Sequence, residues 1–204
     1  MDKALLARLA EGRKILGLEQ APEVDDALLR YASELLRWNE KVNLTAITDP
    51  LEVVEKHLLD SLAVVPEVRG ATTLLDLGAG AGLPGLVLAL SFPAVSVTLV
   101  DAVAKKVGFL KHAAATLGLA GRVKAVHARL EGRPDKEGVP RCEVVISRAF
   151  MDVDRFVPLA KHYVADGGRI VAMLGKSEAP GAASVRSFEL PFSRAPRAVA
   201  TYRG

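Results

Sequence analysis

The sequence predicts an α/β fold in which a seven-stranded, mostly parallel β-sheet carries helices on both faces and follows an N-terminal helical extension. After Gly70, short apolar runs alternate with helical stretches, which is the pattern of βαβ units. Before Gly70, apolar residues recur at helical spacing. We therefore divide the chain of 204 residues into an N-terminal helical segment, 1–70, and a sheet-forming domain, 71–204.

Three helices are predicted in the N-terminal segment. The first ends near Gly17, and the second spans about 25–41 with apolar residues at i, i+4, i+7 and i+8. The third begins at Asp49-Pro50, because aspartate is a common helix N-cap and proline is favoured at the first helical position. It is expected to continue to Pro66.

The sheet-forming domain is expected to hold seven strands. They are predicted near 73–77, 95–100, 122–127, 143–147, 168–174, 184–190 and 197–203. Helical segments are predicted near 84–91, 103–117 and 152–164, with a short turn after 129. Because the last two strands are close in sequence, they are expected to form an antiparallel hairpin at the edge of the sheet.

Composition and charge exclude several classes of protein. Half of the residues are hydrophobic and a quarter are charged, as in soluble globular proteins. No secretory signal follows Met1 and no apolar run is long enough to span a membrane, so we expect a cytoplasmic chain. The single cysteine, Cys142, excludes an internal disulfide and a cysteine-rich metal site. Residues 1–70 carry a net charge of −4 and residues 71–204 one of +7, which suits a polyanionic partner or a solvated basic surface.

A glycine-rich turn between the first strand and the next helix is the most informative segment. Gly80-x-Gly82-x-x-Gly85 matches the dinucleotide fingerprint, whereas Gly78-x-Gly80-x-Gly82 preceded by Asp76 matches the pattern for S-adenosylmethionine. Asp76 would repel a pyrophosphate, but it can serve as a counter-charge to a sulfonium and an ammonium group. The methyl donor is therefore favoured over NAD, and a tight turn without a ligand is the third interpretation.

The ends of the second and third strands fit an adenosine site. Asp101 lies 19 residues after Gly82, about the spacing of a carboxylate that accepts the ribose hydroxyls. It can instead cap the following helix. After the third strand, the turn 127–131 is expected to flank the adenine ring, with Leu130 packed on the base.

The end of the fourth strand constrains the chemistry. An Asn/Asp-Pro-Pro-aromatic stretch, which accepts the proton of an exocyclic amine, is absent, and Cys142 lies at the wrong end of the strand to attack a pyrimidine. An acceptor with a free lone pair, such as guanine N7, needs placement and no general base. Ser147 and Arg148 are the candidates for that positioning, although Arg148 can equally form a surface salt bridge with Asp152 or Asp154.

Four motifs together resemble one family, the small-subunit ribosomal RNA guanine-N7 methyltransferases, also called the glucose-inhibited division protein B or RsmG family. The motifs are WNEKVNLT at 38–45, KHLLDS at 56–61, the glycine-rich turn at 76–85 and SRAF at 147–150. The resemblance runs in order from about Tyr31 to Lys176, and it is weak in the last two strands. It implies the class I S-adenosylmethionine-dependent methyltransferase fold, which is Rossmann-like.

The resemblance also implies an activity, a cofactor and a partner. These are methyl transfer from S-adenosyl-L-methionine to N7 of one guanosine in 16S ribosomal RNA, within the small ribosomal subunit. We expect a monomer that binds neither metal nor membrane. The alternatives are an NAD(P)-dependent oxidoreductase and a non-catalytic ribosome- or RNA-binding protein with a methyltransferase fold.

Resemblance and residue chemistry together give the expected site. The expected cofactor-binding residues are Asp76, Gly78, Gly80, Gly82, Leu83, Asp101, Leu130, Glu131 and Arg148. The expected substrate and RNA residues are Asn43, His57, Lys105, Lys106 and Arg129. His57, Asp60 and Ser61 share one helical face, where they can orient the target guanine or instead form a buried network that docks the helices on the sheet.

Overall fold

A computed structural model describes residues 2–18, 22–175 and 178–204. Residues 1, 19–21 and 176–177 lie outside the described ranges, and so does the end of the family resemblance at Lys176. The N-terminal part contains α1 (Lys3–Ile15), α2 (Pro22–Val42), α3 (Pro50–Val53), a π-helical segment (Val54–Leu59), α4 (Asp60–Leu62) and α5 (Val65–Val68).

The third predicted helix begins as expected but is not continuous. The Asp49 side chain accepts the Glu52 N–H at 2.9 Å, which confirms the predicted cap. The helix then widens into the π-helical segment, where the Asp60 N–H donates to the carbonyl of Glu55, five residues earlier. Such widened turns occur often at functional sites, and this one carries His57.

The sheet contains all seven predicted strands. They are β1 (Thr73–Leu77), β2 (Ser96–Asp101), β3 (Val123–His127), β4 (Cys142–Arg148), β5 (Val164–Leu174), β6 (Ser184–Glu189) and β7 (Pro196–Arg203). Their order is β3-β2-β1-β4-β5-β7-β6. Strands β1 to β5 are parallel to one another, while β7 is antiparallel to both β5 and β6, as the predicted hairpin requires.

The helices of the second part follow the predicted alternation. They are α6 (Gly85–Ser91), α7 (Ala104–Thr116), α8 (Pro134–Glu137) and α9 (Val153–Ala160). The predicted helix 152–164 is too long, because β5 already begins at Val164. The register between β4 and β5 shifts after Cys142–Val164, so the start of β5 is irregular and its apolar periodicity begins only later.

The two faces of the sheet are covered by different helices. On one face the N-terminal helices share a core with α6 and α7, and Leu9, Leu28, Leu58, Val87 and Leu110 are all buried in it. On the other face, the buried side chains after β4 come from α9 and the turn that follows it. None of the helices within the described ranges is long and apolar enough to cross a membrane. The N-terminal helices also contact the carboxyl ends of the central strands β1 and β4. Tyr31 of α2 bonds to the turn after β1, and Arg148 at the end of β4 bonds to Lys56.

Candidate active site

The turn after β1 is built from glycines in left-handed conformations. Gly78, Gly80 and Gly82 have φ angles of +72°, +57° and +89°. A Cβ atom at Gly78 would lie 2.2 Å from Cδ2 of Phe150. The backbone N–H groups of Gly78 and Ala79 both donate to the Val100 carbonyl at 2.9 Å, which ties the turn to β2. Only glycine at position 78 therefore allows this path, and it leaves the backbone open to a ligand.

The N-terminal helices support the same turn. Tyr31 of α2 is fully buried, and its hydroxyl donates to the Ala81 carbonyl at 2.7 Å. Burial raises the pKa of the phenol far above its usual range, so the group remains a hydrogen-bond donor at physiological pH. The N-terminal helical segment thus helps to shape the turn that was predicted to bind the cofactor.

Asp101 holds the turn from the end of β2. Its Oδ2 accepts the Gly80 N–H at 2.9 Å, and its Oδ1 accepts the Val103 N–H at 2.8 Å. The carboxylate also lines a cavity beside the turn. Asp101 therefore organises the local backbone and faces a possible ligand at the same time.

Asp76 lies beneath the turn. Its Oδ2 accepts the Gly85 N–H at 2.9 Å, whereas its Oδ1 is inaccessible and has no hydrogen-bond partner among the described residues. Burial raises the pKa of the Asp76 carboxyl to about 7, although the hydrogen bond from Gly85 and the charge of Arg148 lower it. The sequence argument placed this carboxylate beside the cofactor, but the structure places it outside the surrounding cavities, where it can act only through its charge and its hold on α6.

Two cavities meet at the turn. The histidine cavity has a volume of about 540 Å³ and contains His57, Asp60 and Arg148 in its wall. The aspartate cavity has a volume of about 630 Å³ and is lined by Asp101 and Leu130. Gly78, Lys106 and Ala149 line both cavities, so the two cavities adjoin at the turn.

His57 is held in the wall by both ring nitrogens. Nε2 lies 2.7 Å from the Thr45 hydroxyl, and Nδ1 lies 3.1 Å from the Lys56 carbonyl. We assign a neutral ring in which Nδ1–H donates to the carbonyl and Nε2 accepts from Thr45. Burial first, and then the charge of Arg148, lower the pKa of His57 from its ordinary value of 6.5 to about 4.

Arg148 is fixed at the end of β4 by the N-terminal helices. Its Nη1 donates to the Lys56 carbonyl at 3.0 Å and to Asp60 Oδ2 at 3.1 Å. Its salt bridge is therefore with Asp60, and the alternative partners Asp152 and Asp154 from the sequence argument are wrong. Asp60 is almost fully buried, so this ion pair is shielded from solvent and holds the guanidinium in the cavity wall.

The structure brings most of the expected residues together. Those that line one or both cavities are His57, Gly78, Gly80, Leu83, Asp101, Lys106, Arg129, Leu130 and Arg148. Those outside both linings are Asn43, Asp76, Gly82, Lys105, Glu131 and Ser147.

The residues outside the linings have other contacts. Ser147 donates to the Leu77 carbonyl at 2.8 Å and so joins the ends of β4 and β1. Glu131 is exposed and pairs with Arg133. A Cβ at Gly82 would lie 2.4 Å from Leu86 Cδ1, so this glycine allows close packing of α6. These contacts are structural, and direct roles for Ser147, Glu131 and Gly82 in ligand binding remain predictions.

Asn43 and Asn39 belong to the same motif but have different surroundings, and the role of Asn43 in RNA binding stays a prediction. Asn43 is exposed, at the end of α2, with a φ of +53°. Asn39 is buried, and its side-chain amide donates to the Thr45 carbonyl at 2.9 Å and accepts the Thr45 N–H at 2.8 Å. Asn39 thus fixes the loop that presents Thr45 to His57. The sequence motif contains both asparagines, and only their different burial in the structure distinguishes the one that holds the loop.

The neutral state of His57 predicts a specific pH dependence of stability. Between pH 6.5 and 4 the unfolded chain binds a proton at this residue that the folded chain does not bind. Stability from this group is therefore complete above pH 6.5 and is lost as the pH falls towards 4. We expect His57→Gln to reduce the loss of unfolding free energy between pH 7 and pH 5, as measured by urea denaturation at both values.

A matched variant isolates this effect from the titration of other groups. His127 is exposed at the end of β3, with Nε2 at 3.1 Å from the Ala102 carbonyl. His127→Gln should leave the wild-type difference between pH 7 and pH 5 unchanged. An identical pH dependence in the wild type and in His57→Gln would show that His57 is not held neutral by its surroundings.

Comparisons with known proteins agree with this geometry. The model of the GidB family, described as rRNA small subunit methyltransferase G, matches residues 25–187. The ribosomal RNA small subunit methyltransferase G of Myxococcus xanthus (strain DK1622) is 56% identical, covering 99% of this chain and 99% of that protein. The protein of the same name from Anaeromyxobacter dehalogenans (strain 2CP-C) is 50% identical, and the match covers 100% of this chain and 99% of that protein.

Solved structures share the fold at low sequence identity. An O-methyltransferase from Bacillus cereus in complex with SAH has a TM-score of 0.59 and 15% identity, covering 85% of this chain and 90% of its own. The C-terminal domain of precorrin-6Y C5,15-methyltransferase from Rhodobacter capsulatus has a TM-score of 0.56 and 17% identity, and the match covers 71% of this chain and 88% of that domain. The predicted methyltransferase fold is confirmed, and the relatives support neither the oxidoreductase nor the non-catalytic alternative. On its sequence, its fold and the arrangement of its glycine turn, the chain belongs to the GidB family of rRNA small subunit methyltransferases G.

Proposed function

We propose that the chain transfers a methyl group from S-adenosyl-L-methionine to N7 of one guanosine in 16S ribosomal RNA. The observation that carries the proposal is that two cavities share Gly78 in their linings: an adenosine-type site at Asp101 and a positively charged cavity at the end of β4. Membership of the GidB family supports ribosomal RNA of the small subunit as the substrate. The N7 position of guanine is what the resemblance to the guanine-N7 methyltransferases implies, and it fits a site whose only cysteine, Cys142, lies at the far end of β4.

The residues around the turn fit S-adenosylmethionine. Bound there, it would supply an electrophilic methyl group on a sulfonium. Asp101 lies where it can accept ribose hydroxyls, and Leu130 offers an apolar side chain to the base. The positive φ angles keep side chains out of the path between the two cavities. When ionised, the buried Asp76 carboxylate, whose Oδ1 has no hydrogen-bond partner among the described residues, places negative charge under a cationic ligand.

The nucleophile that attacks the methyl group must be an atom of the substrate itself. Cys142 lies at the amino end of β4, whereas Arg148 lies at the carboxyl end beside the cavity. Cys142 is buried, and burial raises the pKa of its thiol to about 11, which disfavours the thiolate. A cysteine-dependent methylation of pyrimidine carbon is therefore excluded for this residue. Guanine N7 has a free lone pair in the plane of the ring and needs only placement.

The side chains of the histidine cavity are suited to placement. Asp60 and the Lys56 carbonyl hold Arg148 rigidly, and Thr45 and the Lys56 carbonyl hold His57. A held guanidinium can stack on a purine through its planar face without adding a proton to N7. The neutral imidazole adds no charge next to a cationic methyl donor. Preorganised positioning of this kind can supply a large part of the rate enhancement.

The cellular setting follows from the substrate. Ribosomal RNA of the small subunit is the partner, either bare or within the assembled subunit, and the cytoplasm is the compartment in which the chain meets it. We propose that the chain acts as a monomer. The target base has to be exposed or splayed from its stack, because N7 lies in the deep major groove of A-form RNA.

Chemical mapping tests the proposal directly. Ribosomal RNA from cells that lack the enzyme is incubated with the chain and S-adenosylmethionine, treated with borohydride and aniline, and mapped by primer extension. We expect one new cleavage site at a guanosine, dependent on both protein and methyl donor. Incorporation of the methyl group without aniline-sensitive cleavage would contradict N7 as the acceptor, and no incorporation into any small-subunit RNA would contradict the proposed function.

A further inference from the structure

The C-terminal hairpin brings a second arginine to the histidine cavity. Arg197, at the start of β7, lines this cavity together with Arg148. The Asp60 carboxylate lies between them, with Oδ2 at 3.1 Å from Arg148 Nη1 and Oδ1 at 3.2 Å from Arg197 Nε. One buried carboxylate therefore holds two guanidinium groups that come from different strands, β4 and β7.

Both arginines keep hydrogen-bonding capacity towards the cavity. Arg197 donates through Nε to Asp60 and through Nη1 to the Pro196 carbonyl, and its Nη2 has no hydrogen bond within the described ranges. Nη2 of Arg148 lies 3.4 Å from His57 Nδ1, which we assign as protonated and therefore not as an acceptor. Because both arginines line the same cavity, their Nη2 groups can donate to a ligand bound there.

The charge of the cavity calls for an anion. Among the described residues that line it, the cationic side chains are Lys56, Lys106, Arg148 and Arg197, and the only carboxylate is Asp60. Lys56 is also paired with Glu52 at 2.7 Å, outside the lining. Even without Lys56, three cations face one anion. S-adenosylmethionine has an ammonium, a sulfonium and a single carboxylate, so it adds positive charge instead of balancing it.

The hairpin that carries Arg197 is fixed to the π-helical segment. Buried Glu55 accepts the N–H groups of Phe192 and Ser193 at 2.9 and 2.6 Å and the Ser193 hydroxyl at 2.9 Å, all through Oε1. Arg8 of α1 lies 3.7 Å from Glu55 Oε2 and stacks over the Phe192 ring at 3.5 Å. The position of Arg197 relative to His57 is therefore set before any ligand binds, which lowers the entropic cost of binding.

We propose that Arg148 and Arg197, held together by Asp60, form a binding site for one phosphodiester of the RNA beside the target guanosine. This inference rests on the proposed function and extends it to the recognition of the substrate. A phosphodiester shares one negative charge between two non-bridging oxygens, and both oxygens can accept hydrogen bonds from guanidinium groups. Arg197 is the more exposed of the two, with 27% of its side chain accessible against 18% for Arg148, so it is the more accessible to a large ligand.

Arg197→Gln tests the site in the full-length chain. The affinity for 16S ribosomal RNA is measured at several salt concentrations by filter binding in the presence of S-adenosylhomocysteine, and the affinity for S-adenosylmethionine is measured by calorimetry. We expect RNA binding to weaken about tenfold or more, because a charge-assisted hydrogen bond to phosphate is lost. The slope of log K against log salt should fall in magnitude by about 0.7 to 0.9, the value for one phosphate contact. S-adenosylmethionine affinity should change by less than about threefold.

Two further variants test whether the effect depends on the position and on the side-chain chemistry of Arg197. Arg203→Gln removes the same charge from the opposite, exposed end of β7 and should leave the salt slope at the wild-type value. Arg197→Lys keeps the charge but loses the planar fork, so it should retain the slope and recover part of the affinity. An unchanged slope in Arg197→Gln, an equal loss in Arg203→Gln, or a loss of S-adenosylmethionine affinity as large as that for RNA would each overturn the phosphodiester site.

The test separates this inference from the proposed function. Binding is measured without methyl transfer, so a chain that binds RNA but does not methylate it still reports on Arg197. Wild-type chain that methylates N7 while Arg197→Gln binds RNA normally contradicts the phosphodiester site alone. Wild-type chain that binds no ribosomal RNA at any salt concentration contradicts both.

Discussion

Replacing Gly78 by alanine is expected to weaken the binding of S-adenosylmethionine strongly. The residue has a φ of +72°, and a left-handed conformation costs a non-glycine residue about 1–2 kcal/mol. The new methyl group would also lie 2.2 Å from Phe150 Cδ2 and 2.9 Å from its Cβ. Relief requires the turn or the 148–150 segment to move, and both border the two cavities. We expect the dissociation constant measured by calorimetry to rise about 100-fold or more, equivalent to about 3 kcal/mol.

A second glycine provides the control for this substitution. Gly108 lies within α7 and is exposed, and a Cβ there would meet nothing within 4 Å. Gly108→Ala should therefore leave S-adenosylmethionine affinity unchanged and stabilise the fold by about 0.5–1 kcal/mol, since alanine is the better helix former. Cofactor binding within threefold of the wild type in Gly78→Ala, with the fold intact by circular dichroism, would show that the turn is not the binding site.

Replacing Asp76 by asparagine is expected to raise stability and lower cofactor affinity together. The folded-state pKa of Asp76 is raised to about 7 by burial, so its stabilising contribution is present at low pH and is lost as the pH rises through 7. Asparagine keeps the acceptor for the Gly85 N–H but never ionises. At pH 8 the free energy of unfolding should rise by up to about 4 kcal/mol, at roughly 1.4 kcal/mol per pKa unit, and at pH 4 it should change little.

The same substitution removes the negative charge beneath a cationic ligand. We expect S-adenosylmethionine to bind about tenfold more weakly at pH 8, where the wild-type carboxylate is ionised. Asp166→Asn, an equal change of charge at an exposed position on β5, should affect neither quantity. Higher stability with unchanged cofactor affinity would reduce Asp76 to a structural residue of the turn and would contradict its predicted role as a counter-charge.

The fold could be predicted because its signals are local. Strand β1 and the glycine turn form one uninterrupted pattern of apolar residues followed by glycines, and β2 ends in the expected carboxylate, Asp101. The alternation of short apolar runs with helical stretches gave the parallel sheet and its terminal hairpin. These features depend on neighbours along the chain, so they can be seen without a structure.

The π-helical segment could not be predicted for the opposite reason. Its hydrophobic spacing is nearly that of an α-helix, and its widened turn is accompanied by contacts far away in sequence. Glu55 is bound by residues 192–193, and Asp60 is bound by Arg148 and Arg197. The sequence resemblance was weakest in the hairpin that supplies Arg197. Only the strand order β5-β7-β6 brings that hairpin to the cavity.

A crystal structure of the chain with S-adenosylhomocysteine is the most direct measurement of where the methyl donor binds. We expect the ribose at Asp101 and the adenine near Leu130, in the aspartate cavity, with the amino-acid portion beyond Gly78 in the histidine cavity. The sulfur should then face the end of β4 beside Arg148. A ligand that binds away from the Gly78 turn, or one whose adenine occupies the histidine cavity, would contradict the account.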